Sequence, residues 1–146
     1  MALLQTGINA LTNRMPKVIS PKTHAVIDYL TAGSFLVTGA LLWNRNKRAA
    51  VGSMVCGIME AQTAMITDFP GGLTPLISFE THGKIDAGFA GFVSMLPNLL
   101  AFSDEPEAMF FRGQGLAIAG VTGLTDFGDE RRSTRREQRY RRRRAA

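Results

Sequence analysis

The ten residues "ISPKTHAVID" at positions 19–28 return in closely similar form as "ISFETHGKID" at positions 77–86. The two strings lie 58 residues apart, and their Ile, Ser, Thr, His and Asp residues stay in register. Over residues 19–69 the same offset matches 16 of 51 positions, including "TDF" at 67–69 and again at 125–127. So many identities at one fixed offset indicate an internal duplication. The chain is therefore predicted to contain two similar units, residues 19–69 and 77–127.

Each unit contains two apolar stretches that are long enough for helices. The predicted helices cover residues 21–43, 48–68, 79–102 and 107–126. Ser20 before Pro21 is typical of a helix start, and Ser78 occupies the equivalent place in the second unit. Glycines follow both "TDF" strings, as expected after a helix end. The predicted fold class is all-α.

The composition of these helices favours a membrane over water. No charged residue occurs in residues 29–43 or 49–59, so no helix face there is polar enough for a soluble bundle. A helix of about 20 residues is about 30 Å long, which matches the hydrocarbon core of a bilayer. Ser53, Gly57 and Ala61 form a small-residue seam suited to close helix contact. We predict a four-helix transmembrane bundle built from two tandem helical-hairpin repeats, with a soluble bundle as the alternative.

The positive charge lies mainly at the C-terminal end. The net charge is +5, and the tail holds nine arginines against eight Lys and Arg in the rest of the chain. This tail, residues 128–146, is predicted to be disordered and to bind anionic lipid headgroups, with nucleic acid not expected as a partner. Residues 1–18 do not resemble a cleaved signal peptide and form an amphipathic or frayed segment. The basic ends predict that both termini are cytoplasmic, on the bacterial inner membrane.

The duplicated strings also predict a polar cluster. The four-residue spacing of His24 and Asp28, and of His82 and Asp86, places each pair on one helix face. In an up-down bundle these pairs meet the ends of the even helices at one end of the fold. The other members of the predicted cluster come from those ends and from the second helix: Thr67, Asp68, Thr125, Asp126 and Glu60.

Three functions of this cluster stay open. A structural network would lock the helix ends by hydrogen bonds and requires no cofactor. Alternatively, His24 and His82 ligate haem, or His24, Asp28, His82 and Asp86 hold a divalent metal ion. A proton relay is the third alternative. Glu60 needs a partner inside the bundle, for which Gln62, Gln114 or Arg112 are candidates.

The order "SPKTHAVIDY", an apolar helix pair, "TDFPGG" and then a second copy resembles small bacterial membrane proteins with two tandem two-helix units, akin to the SPW-repeat group. The resemblance covers residues 17–127, although "ALLW" and "MLPN" stand in place of a Ser-Pro-Trp triplet. It implies a membrane location and supplies no catalytic residues.

The usual enzyme motifs are missing from the sequence. It contains no CxxC, no glycine-rich phosphate loop and no nucleophile elbow, and the single Cys56 has apolar neighbours typical of a buried thiol. We therefore predict an accessory membrane protein, a subunit or partner of a larger complex or a homo-oligomer. The alternative is a redox membrane protein that binds haem or a metal ion at the paired His and Asp residues.

Overall fold

The computed structural model describes residues 15–128, which form four helices and one short pair of strands. The helices are α1 (Pro21–Leu42), α2 (Lys47–Met65), α3 (Phe79–Leu99) and α4 (Ala108–Leu124). Helix α1 packs along α2, and α3 packs along α4. The prediction of a mostly helical fold with four helices is confirmed. The predicted N-terminal segment, residues 1–18, lies mostly outside the described residues, as does the arginine-rich tail.

The helix starts are set by side-chain caps. The Oγ atom of Ser20 accepts a hydrogen bond from the backbone N–H of Thr23 at 3.3 Å, and Ser78 accepts one from Thr81 at 3.2 Å. Each cap satisfies a backbone N–H of the first turn that has no partner within the helix. Both caps were predicted from the sequence, and α1 and α3 begin directly after them.

The predicted ends of the even helices are wrong, because the helices stop before the "TD" pairs. Residues Thr67–Asp68 form strand β1, which pairs in parallel with β2 (Ile77–Ser78). Thr125 makes the equivalent parallel bridge to Ile19. The chain is thus extended directly after α2 and after α4. Its backbone there forms hydrogen bonds with the segment that precedes α3 or α1. Gly71, with φ of +137°, then turns the chain in a conformation that other residues rarely adopt.

Glycines let the two helices of each hairpin approach closely. A Cβ atom on Gly57 would lie 2.9 Å from the carbonyl oxygen of Ala32, and one on Gly115 would lie 2.7 Å from that of Ala90. These two contacts correspond under the 58-residue offset. The small-residue seam predicted from the sequence is therefore at the helix contact in both hairpins.

Substitution of Gly115 by alanine is expected to destabilise the fold by about 1–3 kcal/mol, because the added methyl group forces α3 and α4 apart. Gly120 is the matched control, since a Cβ atom there meets nothing within 4 Å. Alanine at Gly120 should be neutral or stabilising through its higher helix propensity. Thermal unfolding of the two variants under the same conditions measures the difference, and equal melting temperatures would contradict the close-contact explanation.

A buried aromatic core joins the two hairpins. Phe35 of α1, Val93 of α3 and Phe111 of α4 are fully buried in one apolar cluster. Cys56 lies in the same cluster with no exposed surface, as its apolar neighbours in the sequence predicted.

The outer surface of the bundle is apolar across its middle. Between residues 26–43, 49–65, 85–99 and 113–124 the only charged side chains are Asp28, Glu60 and Asp86, and all three are buried. Large apolar side chains point outward instead, among them Leu30, Val37, Ile58, Met95 and Leu116. By length and composition one helix in residues 15–128, Pro21–Leu42, could cross a membrane. That measure alone does not separate a membrane span from a buried helix of a soluble core.

The end of the bundle opposite the "TH" strings is held by ion pairs. Arg45 Nε lies 3.1 Å from a carboxylate oxygen of Glu107, and Arg48 pairs with Glu105. The basic residues before α2 and in its first turn thus face the acidic residues between α3 and α4. Most charged groups in the described residues therefore lie near the two ends of the bundle, and the three between the ends are buried.

Candidate metal centre

Four side chains with metal-binding atoms converge inside the bundle near the starts of α1 and α3. They are His24, Asp28, His82 and Asp86, all of them buried. One ligand atom from each lies within 4.8 Å of the other three. The sequence predicted this convergence from the helical spacing of four residues and from the 58-residue offset. Each helix supplies one His and one Asp from the same face.

Three donor atoms form a nearly equilateral triangle. The Nε2 atoms of His24 and His82 are 3.2 Å apart, and each lies 3.1 Å from Oδ2 of Asp86. The carboxylate of Asp28 covers this triangle, with Oδ1 3.3 Å from Nε2 of His24 and Oδ2 3.2 Å from Nε2 of His82. The four side chains therefore point their ligand atoms at one common centre.

Two threonines fix which nitrogen of each imidazole faces that centre. The hydroxyl of Thr67 lies 2.7 Å from Nδ1 of His82, and the hydroxyl of Thr125 lies 2.8 Å from Nδ1 of His24. Each hydroxyl donates its own hydrogen to a backbone carbonyl oxygen one turn earlier, at 2.6 Å for Thr67 and 2.7 Å for Thr125. The hydroxyl oxygen must therefore accept the N–H of Nδ1. In the neutral imidazoles this leaves the lone pair on Nε2, directed to the centre.

These threonines belong to the opposite half of the chain from the histidines that they orient. Thr67 follows α2 and binds His82 of α3, whereas Thr125 follows α4 and binds His24 of α1. The extended backbone after α2 and α4 is what brings the two hydroxyls to the rings. A ligand histidine whose second nitrogen is held in this way is typical of metal sites.

Aromatic rings close the end of the bundle over the histidines. The ring centroid of His24 lies 5.2 Å from that of Phe79 and 5.5 Å from that of Phe127, and the His82 ring lies 5.4 Å from Phe69. Gly83 makes room for this layer, because a Cβ atom there would lie 2.6 Å from the Phe127 ring. The rings keep water away from the imidazoles, which strengthens electrostatic interactions at the centre.

The cluster needs positive charge at its centre. Two neutral imidazoles and two carboxylates carry a net charge of −2, and the two Nε2 lone pairs face each other at 3.2 Å. Oδ2 of Asp28 is buried and, although it lies 3.2 Å from Nε2 of His82, accepts no hydrogen bond. Buried polar atoms of this kind call for a proton, a water molecule or an ion. One divalent cation, or two protons on the imidazoles, would neutralise the cluster.

The spacing of the donors suits a small transition-metal ion. An ion just above the plane of a triangle with sides of 3.1 to 3.2 Å can lie about 2.0 Å from all three donor atoms, which is the length of Zn–N and Zn–O bonds. Imidazole and carboxylate donors together suit Zn²⁺, and a site with two histidines and a carboxylate also suits Fe²⁺. The residues present therefore fit a divalent ion.

The geometry favours an ion over haem. A haem held by two axial histidines places its porphyrin ring between the two ligating nitrogens. Here those nitrogens are 3.2 Å apart, and Asp86 Oδ2 is in contact with both. The cavity beside the cluster measures about 40 Å³, far less than a porphyrin occupies.

The other residues of the predicted polar cluster separate into three groups. Thr67 and Thr125 contact the histidines directly, as described above. Asp68 is exposed, and Asp126 accepts a hydrogen bond from the backbone N–H of Gly128 at 3.0 Å, so neither carboxylate joins the centre. Glu60 is buried and lines the same small cavity as Asp28 and Asp86.

The partners suggested for Glu60 from the sequence are wrong. Gln114 donates to the hydroxyl of Ser34 at 3.1 Å, Arg112 donates to the carbonyl of Ser103 at 3.2 Å, and Gln62 is exposed. Sequence reasoning also missed Thr31, which lines the cavity opposite α4. Comparing Thr31 with Phe89 at the 58-residue offset is the signal that would have found it, because a small polar residue there replaces a large ring.

No protein-family model, curated protein or solved structure matches the chain.

Proposed function

We propose that this chain is an integral membrane protein whose four helices cross the bilayer as two tandem hairpin repeats and bind one divalent metal ion. The ligands are His24, Asp28, His82 and Asp86. The observation that carries the metal proposal is the triangle of donor atoms, 3.1 to 3.2 Å on each side, next to a buried oxygen of Asp28 that accepts no hydrogen bond.

The membrane location is supported by the distribution of charge. Outward-facing side chains in the middle of the helices are apolar, and the charged side chains at that level are buried. A soluble protein of this size would expose a continuous apolar belt to water, which monomeric soluble proteins avoid. In a bilayer, buried ionisable groups are costly and generally mark a functional site. The metal ligands Asp28 and Asp86 are such groups.

The orientation follows from the basic residues. Lys17 and Lys22 lie at the end of the bundle that carries the metal centre, and the chain continues from that end into the nine-arginine tail. Such residues mark the cytoplasmic side of a bacterial inner membrane. The proposed metal centre therefore lies on the cytoplasmic side of the bilayer midplane, within about two helical turns of the surface. The tail is then placed to bind anionic lipid headgroups.

Metal analysis of the purified protein tests the proposal. The full chain would be produced with zinc, iron and haem available, purified in mild detergent without chelators, and analysed for metals and for haem absorption. We expect about one divalent ion per chain and no haem band. Metal-free protein that also takes up no Zn²⁺ on addition would refute the metal proposal. Such protein, if it copurified with a stoichiometric partner, would instead support an accessory subunit.

Substitution of Thr67 by valine is expected to weaken Zn²⁺ binding about tenfold to a hundredfold, because the imidazole of His82 loses the group that fixes its tautomer and orientation. Thr63 is the matched control, since its hydroxyl also donates to a carbonyl one turn earlier, at 2.9 Å, and contacts no histidine. Competition with a zinc chelator measures both affinities. Equal affinities for the two valine variants would show that Thr67 does not position a ligand.

A further inference from the structure

A cavity of about 40 Å³ lies directly beside the metal centre. His24, Asp28 and Asp86 line its inner side, and Glu60 lines another part of its wall. The remaining wall comes from α1 and α4, where Ile27, Thr31 and Val121 are half-buried. The cavity therefore runs from the metal ligands toward the gap between these two helices.

The cavity lining is one of the places where the two halves of the chain differ. Thr31, Glu60 and Thr122 line it. The residues at the 58-residue offset are Phe89, Ile118 and Ala64, of which Ile118 also lines the cavity. Each of these three polar residues thus has an apolar equivalent. Phe89 is buried where its counterpart Thr31 leaves space. The metal ligands themselves are identical in both halves, so one side of a nearly symmetric centre is open and polar.

Glu60 has no other role in the described residues. Its side chain is 5% exposed, and its carboxyl group makes no hydrogen bond or ion pair with residues 15–128. A carboxyl group that is largely buried and has no hydrogen-bond partner in the protein normally contacts water or a ligand. Because Glu60 lines the cavity together with two metal ligands, a molecule in the cavity can contact the carboxyl group and the ion at once.

We infer that the metal ion proposed above keeps an exchangeable coordination position, occupied by a small polar molecule that lies in this cavity and hydrogen-bonds to Glu60. This inference rests on the proposed metal centre. The resting ligand is water, since a single water needs only about 10–15 Å³. The ligands that can replace it are small anions or neutral molecules of two or three atoms. Together with the four protein ligands, this molecule would make the ion five-coordinate.

Cobalt substitution tests the inference on the intact protein. Detergent-purified full-length protein would be stripped with a chelator and reloaded with Co²⁺, whose visible spectrum reports coordination number. Bound cobalt would be quantified by metal analysis, and sodium azide would then be titrated as the small-anion probe. We expect about one Co²⁺ per chain, a weak spectrum typical of five or six ligands, and a saturable spectral change with azide.

Two variants replace a cavity residue with the residue at the equivalent position of the other half of the chain. Thr31→Phe fills it, and Glu60→Ile removes the hydrogen-bonding group; neither changes a metal ligand. Both should retain one Co²⁺ per chain and bind azide at least tenfold more weakly. Thr63→Val is the control. Thr63 does not line the cavity, and the substitution replaces it with the residue found at the equivalent position of the other half, Val121. It should bind azide like the unsubstituted protein.

The possible outcomes distinguish failure of the open coordination position from failure of the metal centre itself. Bound cobalt with an intense four-coordinate spectrum and no response to azide would overturn the open position and leave the metal centre intact. Azide binding of equal strength in the native protein and in both metal-loaded variants would also overturn it, because the ligand would then enter elsewhere. Failure to bind Co²⁺ or Zn²⁺ at all would refute the metal centre and the inference together. Metal content and the helical circular dichroism signal identify any variant that fails to fold. If Thr31→Phe fails to fold, the azide affinity of Glu60→Ile tests the inference.

Discussion

Replacement of Asp86 by asparagine is expected to lower the affinity for Zn²⁺ more than about a hundredfold. Binding of a structural zinc ion by four ligands contributes about 10–16 kcal/mol, so the share of one ligand is about 3 kcal/mol. Asp86 offers the oxygen that lies 3.1 Å from both imidazole nitrogens, and asparagine keeps its shape while removing its charge. Competition against a chelator of known affinity, in detergent at constant pH, measures the loss.

Asp68→Asn is the control for this substitution. Asp68 was part of the polar cluster predicted from the sequence, but its carboxylate is exposed and lies outside the centre. Its asparagine variant should bind Zn²⁺ as the native protein does. If Asp86→Asn also retained native affinity while remaining folded, the four-residue centre would have to be rejected.

Substitution of Leu30 by aspartate is expected to reduce strongly the amount of protein inserted in the membrane. Leu30 lies near the middle of α1 and its side chain is 68% exposed, on the surface that we assign to lipid. A carboxylate at the centre of a membrane helix costs about 2.5–3.5 kcal/mol. In a soluble bundle the same change would be nearly neutral, since surface substitutions usually stay within about 0.5 kcal/mol. The two locations therefore predict clearly different results.

Leu73→Asp is the matched substitution outside the helices. Leu73 is 72% exposed and lies between β1 and β2, at the end of the bundle. The measurement is the quantity of each variant that stays with the membrane after an alkaline wash and needs detergent for extraction. Equal recovery of the two variants, or recovery of the native protein in the soluble fraction, would contradict the membrane location.

The sequence was sufficient to predict the elements that repeat. Ser20 and Ser78 mark the starts of α1 and α3 because a helix start is a local feature, fixed by a side chain within three residues of its partner. The meeting of His24 with His82 followed from their equal distances from those starts. Local signals combined with the offset were therefore enough to place the ligands at one level of the bundle.

The contacts between the halves could not be predicted in the same way. Thr67 was assigned to a helix end, although its backbone pairs with Ile77 and its hydroxyl binds His82. Nothing near Thr67 in the sequence indicates this pairing, because it depends on how the two hairpins are placed. The cavity was missed for a related reason. It requires Thr31 and Glu60 to lie near each other across two helices, and neither residue alone indicates an open space.

The exchange of threonines between the halves has an evolutionary consequence. Because Thr125 holds His24 and Thr67 holds His82, neither half of the chain can complete its own histidine site. Two separate copies of a half-length ancestor, paired around a two-fold axis, would form each of these contacts twice. Such an ancestor would have been an obligate dimer with an ion on its symmetry axis, and every mutation would have altered both sides of that axis. We propose that joining two copies of such a gene allowed one side to change alone, so that Thr31 and Glu60 line the cavity beside Asp28 and Asp86.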